Sequence, residues 1–192
     1  MKEGASKARI QELRLTLEHH RYLYHTLDNY EYLNEIRWSQ PAIFTICYSL
    51  AKLLESFGII ATSYIGHSFG EYVAAVLSGV FTLDDALKAV IKRGELMQQA
   101  PQGSMIAIHT TAEKVSSLLP NNLKIALYNA PEYVVVSGSN NEIQTFIDLL
   151  EKYNIPFSKL DISHAFHSYM MEDAAEKFEQ YLSSMNLNKP SK

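Results

Sequence analysis

Cysteine is nearly absent from this 192-residue chain: Cys47 stands alone, so no internal disulfide can form. A lone thiol in the apolar run from Ile43 to Leu54 reads as a buried structural residue. It fits a reducing compartment, and a cytoplasmic protein is the expectation. No stretch approaches the roughly 20 consecutive apolar residues that a membrane-spanning helix needs, so no membrane association is expected. The basic start, Met1 to Arg9, is followed by no apolar run, which excludes a secretory signal. Lysine and arginine are scattered rather than blocked and the formal charge is −4, so nothing resembles a nucleic-acid footprint. Internal repeats and low-complexity tracts are missing as well.

What is present suffices for one sizeable core, or a core and a small satellite: 47% of the residues are apolar. Residues 1–35 read as a polar helix with a ragged apolar face at Ile10, Leu13, Leu17, Tyr22 and Leu23. His19, His20 and His25 on it fit a solvated face better than any common zinc spacing. From Gln40 the helical stripe sharpens through Ile43, Phe44, Ile46, Cys47, Leu50, Leu53, Leu54 and Phe57, with Gly58 placed to cap it. A short apolar run over 59–65 reads as a strand. After Gly79, Thr82 is a candidate N-cap for a helix reaching about Ala100, with Asp84 and Asp85 in its first turn. Residues 104–163 then alternate as βαββαβ, and Tyr169 to Met185 returns to helix.

Between the expected strand and helix stands Gly66-His67-Ser68-Phe69-Gly70-Glu71. A serine flanked by glycines two before and two after is the arrangement of a nucleophile elbow. Glycine at both places is expected to relieve a clash across the turn, and the following helix N-terminus is expected to favour an oxyanion. A turn serine without chemistry is the alternative. A serine hydroxyl needs a base, and histidine near neutral pH is the usual one. His164 and His167 lie where the last strand of the satellite hands back to the main body; half-buried histidines, or a metal site with Asp161, are the other readings. Arg93 lies at the margin of the stripe Leu87, Val90, Ile91, Gly94 and Met97. It suits either a planar anion held bidentately or an ordinary ion pair, with Glu71 a candidate partner.

Four segments together resemble the acyltransferase family of polyketide and fatty acid synthesis, the malonyl-CoA:acyl carrier protein transacylases. They are Gln40-Pro41-Ala42, Gly66 to Tyr72, Arg93-Gly94-Glu95-Leu96-Met97, and His164-Ala165-Phe166-His167-Ser168 followed by Met171. The match runs from about residue 29 to the end. The resemblance implies an α/β-hydrolase-like body with a parallel sheet, formed by 1–103 and 164–192, and an inserted ferredoxin-like subdomain over 104–163. It implies Ser68 as the acylated nucleophile, His167 as the base and Arg93 as the partner of a malonyl carboxylate. Gln40, His67, Phe69 (through its backbone N–H) and Phe166 fall at substrate-facing positions, with Phe166 occupying the space of an α-methyl branch. The implied substrate is malonyl-CoA and the acceptor is the phosphopantetheine thiol of an acyl carrier protein, with neighbouring synthase domains such as a ketosynthase; no metal or bound cofactor is implied. The family's opening Gly-Gln-Gly loop and its later strands have no counterpart here, so an internal piece of a larger domain is expected. A serine esterase or thioesterase, with Asp148 or Asp161 as acidic partner, and an inactive docking piece of a megasynthase are the rival readings.

Overall fold

The computed structural model describes residues 34–191. The polar helix expected before residue 34, with His19, His20 and His25, lies outside the described residues. Helix α1 (Ile36–Ser56) is followed by a stretch without ladder hydrogen bonds, then α2 (Gly70–Leu77) and α3 (Leu83–Gln98). Then come β1 (Ser104–Ile108), α4 (Ala112–Leu118), β2 (Lys124–Ala130), β3 (Tyr133–Gly138), α5 (Asn140–Lys152) and β4 (Phe157–Lys159). A 3-10 turn (Tyr169–Met171) leads into α6 (Glu172–Ser183).

Local chemistry explains most boundaries. Thr82 caps α3 by accepting from the Asp85 N–H, with Asp84 and Asp85 in the first turn where carboxylates suit the dipole. Gly58, at φ 84, follows the end of α1. Ser139 and Glu142 form a reciprocal capping box at the start of α5. Each of these residues stands next to a periodic apolar run, which is where a cap is needed.

The helical part packs α1, α2, α3 and α6 around Phe44, Tyr48, Val73, Ala89, Val90 and Phe178. The second part is a four-stranded antiparallel sheet in the order β2-β3-β1-β4, carrying α4 and α5. One face of that sheet closes a core of Ile106, Ile108, Val134, Val136, Phe146 and Leu150, all nearly or fully inaccessible. The other face presents Met105, Ala107 and Val135 to Phe166, Leu160 and Ile162. Past β4 the chain continues antiparallel to residues 102–105, with Leu160 N–H on Met105 O (3.0 Å), Gly103 N–H on Ser163 O (3.1 Å) and a bridge between Gln102 and His164. That return segment delivers residues 164–168 to the helical part.

Three expectations fail here. The strand expected over 59–65 has no ladder partner, and Ile59, Ile60 and Ile65 are exposed, Ile65 fully. A strand exists only where a neighbour takes its N–H and C=O groups, and among the described residues no strand lies beside it; no parallel sheet occurs there either. The α1 stripe is covered on one side only: Phe44 and Tyr48 are buried, while Ile46, Leu50, Leu53 and Phe57 face outward. Cys47, expected inside, shares that uncovered side and is exposed.

Candidate active site

Ser68 stands at the turn into α2 with φ 49, a left-handed conformation that side chains with a Cβ rarely adopt. The turn is held by its own hydrogen bonds, Gly70 N–H to His67 O (2.9 Å) and Glu71 N–H to Ser68 O (3.1 Å). It also requires Gly66: a Cβ there would lie 2.2 Å from the Glu71 nitrogen and 2.3 Å from the Gly70 carbonyl carbon. The expected need for a second glycine is not met. A Cβ on Gly70 would meet nothing within 4 Å, because the chain at that point has already turned outward into α2. The helix start is less open than expected too, since the Gly70, Glu71 and Tyr72 N–H groups are already bonded back into the turn. The Phe69 N–H has no partner among the described residues. It is a donor left free beside the serine.

The Ser68 hydroxyl lies 2.7 Å from His167 Nε2 across ninety-nine positions of sequence. His167 also has positive φ, 59, and follows Ala165, which is fully buried in a niche that Gly103 leaves open. A Cβ on Gly103 would fall 2.6 Å from the Ala165 Cβ. Ser168 locks the loop by donating to Ala165 O (2.7 Å) and accepting from Met170 N–H (3.2 Å). Burial pushes the His167 imidazole below its ordinary pKa, and the nearby Arg93 and then His67 push it further, with Glu71 opposing. These influences favour the neutral form of the ring, which can accept a proton.

Arg93 reaches the same place from α3. Its guanidinium carbon is 5.3 Å from the Tyr72 ring centroid and 5.7 Å from that of Phe69. The ion pair with Glu71 is not formed: no carboxylate lies within pairing distance of Arg93 among the described residues. The Tyr72 hydroxyl is pushed up in pKa by burial, with Arg93 opposing, so the phenol stays protonated under the cation.

The other expected site residues divide. His67 is exposed and its Nε2 is 3.0 Å from Asn129 Oδ1 on β2. Phe69 stacks on Tyr72 (5.7 Å). Gln40 is buried on α1, with Nε2 on Met97 Sδ at 3.3 Å and Oε1 unpaired, and makes no hydrogen bond to the dyad. Phe166 fills the seam between Met97 and Met171 on one side and Met105 and Val135 on the other. His164 is 2% exposed, bonded to Ser163 (2.8 Å) and stacked on Phe166. It is a packed histidine, not part of the pair. Asp148 is tied to Gln144 (3.0 Å) and does not meet His167. Among the described residues no group of three His, Cys, Asp or Glu side chains is placed to hold a metal ion.

Two contributors were not foreseen. Tyr72, one turn after Ser68 on α2, could have been read from that spacing; Asn129 belongs to no motif. Together these groups are a hydroxyl against a neutral imidazole, a free N–H and an uncompensated cation. Such a set of groups is chemically able to activate a serine hydroxyl and to pair with an anion nearby.

Comparison with known proteins gives the family. A model described as the acyl transferase domain matches residues 6–192, and the chain belongs to that family. It is 39% identical over 158 residues to a component of the phenolphthiocerol/phthiocerol polyketide synthase of Mycobacterium tuberculosis, a match that spans 82% of this chain and 11% of that protein. Among solved structures it is similar to the acyltransferase domain from the second module of the salinomycin polyketide synthase, with a TM-score of 0.81 and 34% identity over 85% of this chain and 40% of that one. It is similar also to the malonyl CoA-acyl carrier protein transacylase of Burkholderia pseudomallei, with a TM-score of 0.78 and 32% identity over 85% and 59% of the two chains. The chain thus spans a small part of the synthases it matches and about half of the solved domains.

Proposed function

We propose that this chain forms part of an acyltransferase that moves a malonyl group from malonyl-CoA, through an ester on Ser68, to the phosphopantetheine thiol of an acyl carrier protein. The observation that carries this reading is the 2.7 Å contact between Ser68 and His167, with Arg93 beside it and free of any carboxylate among the described residues. His167 Nε2 takes the Ser68 proton as the oxygen attacks the thioester carbonyl carbon. The carbonyl electron pair moves onto oxygen, toward the Phe69 N–H, and returns as the C–S bond breaks; the departing thiolate receives the proton from His167. The carrier thiol then attacks the serine ester by the same steps in reverse, with Ser68 as leaving group.

Arg93 would hold the free carboxylate throughout and so fix where the thioester carbonyl lies. The rings of Phe69 and Tyr72 limit the swing of the guanidinium. Phe166 and Gln40 would shape the pocket from behind, as walls rather than as groups that touch the reacting atoms. His67 would act on His167 electrostatically.

The finer architecture belongs to the same proposal. Residues 104–163 would be a ferredoxin-like subdomain, which the strand order β2-β3-β1-β4 and the βαββαβ succession support. Residues 1–103 and 164–192 would belong to an α/β-hydrolase-like body. Malonyl-CoA, the acyl carrier protein and neighbouring synthase domains such as a ketosynthase would be its partners, and the cytoplasm its location. The reaction draws on the thioester and calls for no metal or bound cofactor.

The experiment is incubation with malonyl-CoA followed by intact-mass and peptide measurement. A malonyl mass on the peptide that holds Ser68, absent from Ser68→Ala, is expected. Equal labelling of Ser68→Ala would overturn the proposal, and steady release of free malonate without a carrier would favour an esterase.

A further inference from the structure

Ser68 and His167 both hold left-handed backbone, which persists only where the surroundings fix it. Each is fixed locally, Ser68 by the elbow's own hydrogen bonds and His167 by Ser168 and the Ala165 niche. Local bonds do not set the two against each other. The four-stranded unit reaches both loops with side chains.

Two links run from that unit to the pair. His67, which directly precedes Ser68, is joined through Nε2 to Asn129 Oδ1 (3.0 Å). Asn129 lies in β2 where the register slips between Tyr128 and Ala130, so it falls outside the regular ladder. Tyr169, two residues past His167, donates its hydroxyl to Glu142 Oε2 (2.9 Å). The same carboxylate accepts from the Ser139 N–H (3.0 Å) and hydroxyl (2.7 Å), and Asn122 donates to its other oxygen. Glu142 is thus set in place by the capping box of α5 before it ever meets Tyr169.

We propose that Asn129 and Glu142 are positioning residues: through His67 and Tyr169 they grip the two loops that carry Ser68 and His167, and keep hydroxyl and imidazole in contact. Neither is hydrogen-bonded to Ser68 or His167 themselves. The kinetic consequence rests on the acyl-transfer reading; the geometric one does not. Since a net hydrogen bond contributes little while a displacement of about 1 Å can cost about a hundredfold in rate, loss of one link should slow acylation about three- to tenfold.

The test uses the 192-residue chain and four variants. Tyr169→Phe deletes one oxygen and Asn129→Ala one acceptor, both at exposed positions; Glu142→Gln and Asn129→Asp keep an acceptor oxygen. Two readouts are taken: the rate of malonyl ester formation on Ser68, and the His167 Nε2 resonance in nitrogen-15 histidine-labelled protein, referenced to Ser68→Ala, in which the bond cannot form. Tyr169→Phe and Asn129→Ala should each lower the maximal acylation rate three- to tenfold with KM unchanged, and move the resonance toward the Ser68→Ala position. The acceptor-keeping variants should recover most of both. A lowered melting temperature with an unmoved resonance would make the links merely structural and overturn the proposal. If the wild type shows the Ser68 bond by resonance but accepts no malonyl group, the acyl-transfer reading fails, and the resonance shifts alone decide the positioning role.

Discussion

The two parts of this molecule bury their apolar residues to very different extents. The four-stranded unit closes on itself: Ile106, Ile108, Val136, Phe146 and Leu150 are wholly inaccessible, and its helices cover one sheet face. The helical part has a core at Phe44, Ala89 and Val90, yet leaves Ile46, Leu50, Phe57 and Ile60 uncovered. The three side chains of the candidate site straddle this divide. Ser68 and Arg93 come from the open part, and His167 from the strap that leaves the closed one. The difference teaches that, on the proposed positioning, the closed unit would supply the reference frame and the elbow would depend on contacts it makes outward.

The largest effects should separate the two parts by stability. Phe146→Ala empties the centre of the closed core and should cost about 3–5 kcal/mol, seen as a large drop in the denaturant midpoint. Leu50→Ala, on the uncovered side of α1, should change stability by no more than about 0.5 kcal/mol. Equal losses at both positions would mean that something covers α1 and would dissolve the contrast.

Next come the two glycines of the elbow. Gly66→Ala sets a methyl against backbone atoms that cannot give way and should lower acylation by about a hundredfold or more. Gly70→Ala points into open space and should leave most of the rate intact. Stopped-time mass measurement of the acyl enzyme distinguishes them. A smaller effect concerns Cys47, which should react promptly with an aromatic disulfide reagent in the native protein; protection until denaturant is added would restore the buried thiol that the sequence suggested.

How much of this was readable in advance follows from the range of the forces involved. Thr82 and Gly58 act within a few residues of themselves, so their caps stand in the sequence. The alternation of residues 104–163 was equally legible, because each element is closed within about sixty residues of chain. Pairing Ser68 with His167 required a family resemblance, since no local rule joins positions ninety-nine apart. Leu50, Cys47 and the 59–65 run show the opposite limit. Periodicity identifies an apolar face but does not say that a partner covers it. The motif around Gln40 points to a substrate-facing role, while its amide in the structure meets Met97.

The most direct measurement is the pH dependence of Ser68 acylation in the wild type and in Arg93→Gln. On the proposed mechanism acylation needs neutral His167, so the rate should rise with pH through the histidine pKa and then level. Burial, then Arg93, then His67 lower that pKa, so the wild-type midpoint should fall below the ordinary value of about 6.5. Removing the guanidinium removes one repulsion and should carry the midpoint upward. A wild-type midpoint at or above the ordinary value, unmoved by Arg93→Gln, would contradict the claim that these three side chains share one site.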